Sequence, residues 1–111
     1  MAEKTELLPG TLDLLVLRVL SRGELHGWGI TNKLEQLSKR ALQVDEGSLY
    51  PALYRMEDKG WIVAEWKMTE NNRRAKYYSL TRAGRKQLTA EEDAWRRTST
   101  IVTRFLTPSE K

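Results

Sequence analysis

The chain contains no cysteine and a single histidine, His26, among its 111 residues. Without cysteine it can have no disulfide framework, thiol nucleophile or cysteine-based zinc site, and this composition fits a reducing compartment. His26 lies among glycines, and the sequence shows no nucleophile elbow, phosphate-binding glycine loop or metal-ligand cluster. We therefore expect a helix-start or packing role for His26, and no enzyme activity, metal or cofactor.

Long apolar segments are scarce as well. The one such run, residues 12–20, contains Asp13 and Arg18 and is too short to span a bilayer. Nothing in the sequence resembles a signal peptide with a cleavage site. We expect no membrane segment and a cytoplasmic protein.

Chain length and net charge say less about the fold and the partners of the protein. A chain of 111 residues with 40% hydrophobic residues predicts one domain with a modest core, and a partner subunit often completes such a core. The net charge of +4, from 19 Lys and Arg against 15 Asp and Glu, is weak evidence about partners. The distribution of charge along the chain is more informative.

Residues 47–62 predict a helix that leads directly into a strand. Leu49, Leu53 and Met56 recur at helical spacing, and Gly60 marks the end of the helix. The opposite face would point outward and carries Gly47, Ser48, Pro51, Tyr54, Arg55 and Asp58. A helix followed at once by a hairpin indicates a winged helix, in which such a face reads DNA. An ordinary amphipathic helix with a solvated face remains the alternative.

The segment after this helix predicts a basic hairpin. Residues 63–67 and 76–80 are rich in Val, Trp and Tyr, and the turn-forming residues between them predict a tip at 68–75. The window 73–86 has no acidic residue and six basic ones, Arg73, Arg74, Lys76, Arg82, Arg85 and Lys86. Such a local bias favours a polyanionic partner, although basic runs are often only solvated.

Three helices are expected besides the one within 47–62, which is the third helix in chain order. The first covers about 11–21 and the second about 26–37, where we interpret Gly27 and Gly29 as sites of close helix packing. The third helix can be capped by Asp45 or, alternatively, by Ser48, so its start is open by one turn. Thr81 is predicted to cap a long fourth helix that reaches about residue 105.

Three segments together carry a family resemblance: LHGWGI (25–30), GSLYPALYRMEDKGWI (47–62) and RRAKYYSLTRAGR (73–85). In order and spacing they resemble the signature segments of the PadR family of bacterial winged-helix transcriptional regulators. The similarity spans about residues 8–105 and fits the short members, which have one C-terminal helix. Trp28 stands where Tyr is usual and Met56 where Leu is common. Asn71 and Asn72 occupy a wing tip where glycine is expected, so the shape of the tip is open.

The expected fold class is mostly α with a small β-hairpin, a winged helix-turn-helix followed by a C-terminal dimerisation helix. The predicted organisation is a flexible N-terminus (1–10), a DNA-binding domain (11–80), the dimerisation helix (81–106) and a flexible tail (107–111). The resemblance implies a sequence-specific regulator of transcription, a ligand-responsive repressor that binds double-stranded DNA as a homodimer on two half-sites. The expected DNA-binding residues are Ser48, Tyr50, Pro51, Tyr54, Arg55, Arg73, Arg74 and Lys76.

A second function class is a winged-helix module that binds protein instead of DNA. The basic window would then contact an acidic protein, with Tyr50 and Tyr54 as anchors. Affinity for duplex DNA and its salt dependence separate the two classes.

The fourth helix predicts the dimer. Leu88, Trp95 and Val102 are spaced by seven, but Glu91 and Glu92 interrupt the stripe, so the first helix is the expected second contributor. The predicted interface residues are Leu12, Leu15, Val19, Leu88, Trp95, Val102 and Phe105. The alternative is a stripe that only caps its own domain.

The tryptophans separate into two groups. We expect Trp28, Trp61 and Trp66 to pack in the core, as most aromatic residues at such spacings do. Trp95 is the exception, because family members often bind flat hydrophobic effectors near the dimer interface, and Trp95 would form one wall of such a site. A plain packing role for Trp95 is the alternative.

Overall fold

The computed structural model describes residues 10–108. Within that range four helices pack against a three-stranded antiparallel sheet with strand order β1-β3-β2. The elements are α1 Thr11–Leu20, β1 Leu25–His26, α2 Gly27–Leu37, α3 Glu46–Asp58, β2 Ile62–Met68, β3 Arg74–Leu80 and α4 Arg82–Leu106. This is the predicted winged helix-turn-helix with a long C-terminal helix. The predicted flexible ends fall mostly on residues 1–9 and 109–111, which lie outside the described range.

The core lies where α1, α2 and α3 pack together on the base of the hairpin. Each helix contributes side chains at helical spacing, as the apolar pattern predicts. The largest fully buried side chains are Val16, Leu17, Leu20, Ile30, Leu49, Leu53, Met56 and Ile62. Helix α4 adds Leu88 to this cluster and then extends away from it, so the molecule is 63 Å long but only 22 Å thick.

Side-chain caps fix where three helices begin. Asp45 accepts a hydrogen bond from the Ser48 backbone N–H at 2.9 Å, and Thr81 accepts one from the Gly84 N–H at 3.0 Å. Both caps were predicted, whereas the alternative cap at Ser48 is wrong because α3 already begins at Glu46. His26 caps α2, with its Nδ1 accepting from the Gly29 N–H at 2.9 Å.

The wing is longer than predicted and its tip is shorter. β2 and β3 pair from Ile62–Leu80 out to Met68–Arg74, so only five residues form the turn. Asn72 takes the left-handed conformation at φ 63, and its N–H donates to the Thr69 carbonyl at 2.9 Å. Asparagine tolerates this conformation better than most residues, which explains how the tip closes without glycine.

Two features depend on contacts between segments that are distant in sequence. The two-residue strand β1 pairs with Tyr77 and Tyr78 of β3 and is too short to show any alternation. Gly27 lies so close to Tyr50 of α3 that a side chain at position 27 would overlap the tyrosine hydroxyl. The prediction that Gly27 allows close helix packing is thereby confirmed.

Candidate nucleic-acid interface

The outward face of α3 is open to solvent. Gly47, Ser48, Pro51 and Asp58 are all exposed, and Tyr54 is 76% exposed. Opposite them Leu49, Ala52, Leu53 and Met56 are buried. The helix therefore seats on the core with one face and presents the other, as a reading helix must.

Arg55 is exposed on the outward face of α3, but its guanidinium is engaged by α1. Its Nη2 lies 2.8 Å from Asp13 Oδ1 of α1, in an ion pair whose carboxylate is only 13% exposed. The sequence pattern placed Arg55 with the residues free to meet bases, but the guanidinium is held on the α1 flank of α3. Asp13 was missed because it lies 42 residues away in sequence.

The wing carries the predicted cations. Arg73 and Arg74 are exposed, and among the ion pairs of residues 10–108 neither takes part. The Arg74 guanidinium lies 5.2 Å from the centre of the Trp66 ring. Lys76 is placed further in, with its Nζ 3.9 Å from Glu57 Oε1 of α3. Two cations at the wing are thus open to an anion, and a third faces a carboxylate.

A cleft of about 620 Å³ lies between the start of α2, α3 and the wing. Trp28, Tyr50 and Trp66 line it together with the wing cations, and the three rings are 71%, 44% and 56% exposed. The prediction that Trp28 and Trp66 pack in the core is wrong, while Trp61 does pack against it. Trp66 lies on the core-facing side of β2 but beyond the helices that cover that side, and Trp28 lies in the first turn of α2.

Electrostatic shifts are found at the base and edge of the wing. Burial raises the pKa of the Tyr78 hydroxyl, and the nearby Glu57 carboxylate and Tyr50 add to this effect. A hydrogen bond to Glu24, at 2.6 Å, raises the pKa of Lys67. Lys67 therefore holds its charge on the outer side of the sheet.

The predicted interface residues fall into two groups. Trp95, Val102 and Phe105 are 47%, 46% and 84% exposed on α4. Leu12 and Leu15 are half-buried on α1. Two assignments need correction, because Val19 and Leu88 are buried in the core of their own chain and leave almost no surface for a partner.

The open end of α4 includes Leu106, which the sequence pattern had placed in the stripe, and Ile101, which the pattern missed. Ile101 and Leu106 are 51% and 77% exposed and extend the apolar surface of Val102 and Phe105. Spacings of four between Ile101 and Phe105 could have revealed this wider surface. Trp95 lines a shallow cavity of about 250 Å³ against Thr11 and Leu14 of α1.

The described residues include neither a membrane-spanning helix nor a metal-ligand cluster. No helix between residues 10 and 108 is long and apolar enough to cross a membrane. That range also holds no cluster of three or more histidine, aspartate or glutamate side chains arranged to hold a metal ion.

Sequence comparison identifies the family. A family model described as the transcriptional regulator PadR-like family matches residues 16–90, which include α2, α3 and the wing. The chain belongs to the PadR family. As the sequence predicted, it is a winged-helix transcriptional regulator and not an enzyme, and PadR regulators bind DNA.

Individual relatives agree with this assignment. The transcriptional regulator Rv3488 of Mycobacterium tuberculosis is 35% identical over 81 residues, 73% of this PadR chain and 72% of Rv3488. A crystal structure of a PadR-like transcriptional regulator from Bacillus cereus matches with a TM-score of 0.80 at 30% identity, covering 95% of this chain and 100% of that one. The negative transcriptional regulator PadR of Bacillus subtilis is 27% identical over 77 residues, 69% of this chain but only 42% of that longer protein.

Proposed function

We propose that this PadR regulator is a sequence-specific repressor that binds an operator in duplex DNA. The observation that carries the proposal is the pair of unpaired cations, Arg73 and Arg74, on a wing beside the exposed face of α3. In this arrangement α3 enters the major groove and the wing contacts the neighbouring phosphates. Repression in particular is supported by similarity to a protein named as a negative regulator.

The net charge of α3 indicates that α3 and the wing play different roles in DNA binding. Its segment carries Asp45, Glu46, Glu57 and Asp58 against Arg55 and Lys59, so the helix repels phosphate overall. Affinity must then come mainly from the wing. The exposed Ser48, Pro51 and Tyr54 supply contacts to base edges, and Tyr50 and Lys76 lie at the boundary between the helix and the wing.

The same proposal includes a homodimer. The apolar end of α4, consisting of Trp95, Ile101, Val102, Phe105 and Leu106, is too exposed for a helix that stays in water alone. A second copy supplies a matching surface, with Leu12 and Leu15 of α1 beside it. Two reading helices then address two half-sites about one DNA turn, ~34 Å, apart.

An effector site at Trp95 completes the proposed mechanism. The cavity beside Trp95 is smaller than the ~300 to 1,000 Å³ of typical ligand pockets, but it lies on the proposed dimer surface, where a partner would enlarge and close it. A flat hydrophobic or aromatic compound bound there changes the separation of the two α3 helices and releases the operator. Trp95 supplies one wall.

A winged-helix module that binds acidic protein is the competing function, and duplex affinity separates it from the repressor. We expect the wild-type chain to bind duplex DNA with an affinity that falls steeply with salt. Replacing Arg73 and Arg74 together with Ala should weaken binding to all duplexes alike and reduce the salt slope by roughly 1 to 2. Fluorescence anisotropy with labelled duplexes at several salt concentrations measures both quantities.

The matched control replaces Arg96 and Arg97, two exposed arginines of α4, with Ala. This variant has the same change in net charge away from the wing and should keep the wild-type slope. Equal loss in both double variants would contradict the wing assignment. An absence of salt-dependent duplex binding in the wild type would instead favour the protein-binding module.

A further inference from the structure

Arg55 connects the reading helix to α1. Its guanidinium donates to Asp13 Oδ1 at 2.8 Å, while the rest of the side chain remains about half exposed. We propose that Asp13 is a positioning residue that holds Arg55 away from DNA and makes the charge of the reading surface depend on α1. This inference rests on the proposed DNA binding and adds a residue to it.

The two flanks of α3 have different neighbours. Tyr50 and Glu57 face the wing, where Tyr50 lines the cleft and Glu57 meets Lys76. The Arg55 guanidinium reaches the first turn of α1 on the other flank, while the side chain also lines an outward cavity with Tyr54 and Lys76. The side chain can therefore swing between Asp13 and a phosphate beside α3 without any change in the helix itself, because arginine has several rotatable bonds and five N–H donors.

The Asp13–Arg55 ion pair is weak enough for Arg55 to exchange Asp13 for a DNA phosphate. Arg55 is half exposed, and ion pairs of this kind are weak enough for a DNA phosphate to compete for the guanidinium. Asp13 is largely shielded, however, so a departing Arg55 leaves a carboxylate without its cation. In the absence of DNA, Arg55 therefore stays paired with Asp13. Contact between Arg55 and a phosphate costs the free energy of breaking this pair, and Asp13 determines the size of that cost.

Helix α1 connects this free-energy cost to the subunit interface, so the cost can be regulated there. Asp13 lies between Leu12 and Leu14, and Leu12 is one of the residues proposed for the dimer surface. At the other end of α1, Arg18 Nη1 lies 3.5 Å from Glu92 Oε2 of α4. A rearrangement of α1 and α4 at the subunit interface therefore moves Asp13 relative to Arg55, and with it the availability of one cation for DNA.

The test is a comparison of Asp13→Asn in two backgrounds. In the wild-type background the substitution should free Arg55, raise affinity for a random-sequence duplex by roughly five-fold and increase the salt slope by about one. In an Arg55→Ala background the same substitution should change neither quantity. Asp13→Glu, which retains a carboxylate, should restore binding close to that of the wild type.

The charge control is Asp93→Asn. Asp93 is an exposed carboxylate of α4 near Arg96, so this variant has the same net charge as Asp13→Asn without touching α3. Its slope should equal that of the wild type. Equal gains from Asp13→Asn in both backgrounds would mean that Asp13 only repels phosphate, and no gain in either would mean that it does not restrain Arg55. Each result overturns the proposal.

A measurement without DNA keeps the pair itself testable. Urea midpoints of the two single variants and the double variant form a cycle in which the pair should appear as a non-additive loss. Additive midpoints would overturn the proposal whatever the DNA results. Duplex binding by the wild type is the separate readout for the proposed function, so failure of DNA binding and failure of the Asp13–Arg55 pair are distinguishable.

Discussion

Tyr78 closes the core beneath the wing. Its side chain is 5% exposed, and its backbone pairs with both neighbouring strands, opposite Leu25 of β1 and Ala64 of β2. Tyr54, on the outward face of α3, is 76% exposed. Burial and the nearby Glu57 carboxylate make the Tyr78 site unfavourable for the negative charge that remains when the phenolic proton leaves, so the pKa of Tyr78 is raised.

This difference predicts a loss of stability at alkaline pH. The folded-state pKa of Tyr78 is raised above the value near 10 of an unfolded tyrosine, so above pH ~10 the unfolded chain loses the proton while the folded chain keeps it. Stability from this group is therefore fully present below pH ~10 and falls as the pH rises through the folded pKa. In Tyr78→Phe this decline should be smaller, as measured by urea unfolding on both sides of pH 10.

The comparison variant is Tyr54→Phe, which removes the hydroxyl of an exposed ring. Only Tyr78→Phe should gain stability relative to the wild type at alkaline pH. A gain of the same size in Tyr54→Phe would contradict the link to burial.

At the scale of elements, α4 is joined to the wing by one close crossing. The Trp61 carbonyl oxygen accepts hydrogen bonds from the backbone N–H and the hydroxyl of Thr81, both at 3.0 Å. Gly84 lies one turn further along α4, where a Cβ would overlap this same carbonyl oxygen. The crossing therefore needs glycine because backbone packs directly on backbone.

Gly84→Ala should accordingly destabilise the fold, although alanine is the better helix former. The overlap involves backbone atoms that cannot rotate away, and overpacking of this kind costs typically about 1 to 3 kcal/mol. Urea unfolding followed by circular dichroism measures the loss. An unchanged or increased midpoint would show that α4 can shift along β2 at little cost.

Gly47→Ala is the matched control for Gly84→Ala, because position 47 of α3 has room for a Cβ. Gly47 is exposed in α3, and the nearest atom to a new Cβ is Asp45 Oδ1 at an ordinary contact distance of 3.5 Å. This variant should gain up to about 1 kcal/mol from helix propensity. Opposite signs for the two Gly→Ala changes are the expected outcome.

At the scale of the whole molecule, the outstanding feature is how far α4 projects. Beyond Leu88 its side chains leave the core, and the last turns expose Ile101, Phe105 and Leu106. A helix that leaves its own domain with an apolar end is stable in water only with another surface beside it. The proposed homodimer supplies that surface.

The dimer predicts a concentration-dependent oligomeric state. Replacing Trp95 and Phe105 together with Ala should raise the dimer dissociation constant, because large buried rings typically contribute ~3 to 5 kcal/mol each in a packed site. Binding to an operator with two half-sites should then fall much more than binding to one half-site. Sedimentation velocity over a range of concentrations measures the first effect and anisotropy the second.

Val63→Ala provides the control for this pair of changes. Val63 is 52% exposed on β2, so it is a similarly exposed apolar residue away from α4, and its loss should leave the dimer intact. A wild-type chain that stays monomeric at high micromolar concentration would rule out the dimer and with it the reading of paired half-sites.

Much of the fold could be predicted because its signals are local. The periodicity of Leu49, Leu53 and Met56 identified the buried face of α3, and the cap at Thr81 fixed the start of α4, while Asp45 was one of two caps considered for α3. These features depend on residues within one or two turns of each other. The basic wing and the family likewise followed from contiguous segments of sequence.

The errors arose where a residue's neighbours lie far away in the chain. Trp66 was placed in the core because alternation shows which face of a strand a residue occupies but not where the covering helices end. Leu88 was assigned to a dimer seam because its spacing to Trp95 does not show that α4 leaves the core between them. The strand β1 forms only because the edge of β3 accepts it.

The sequence by itself thus determined the four helices, the hairpin, the cap at Thr81, the cations of the wing and the family, since periodicity, capping and charge act between near neighbours. Only the tertiary structure decided which surfaces are covered and which charges are engaged. Arg55 and Asp13 meet because α1 and α3 pack side by side, and Gly84 reaches the Trp61 carbonyl because α4 crosses the start of β2. Such contacts depend on how helices and strands pack in three dimensions, a property that no single segment encodes.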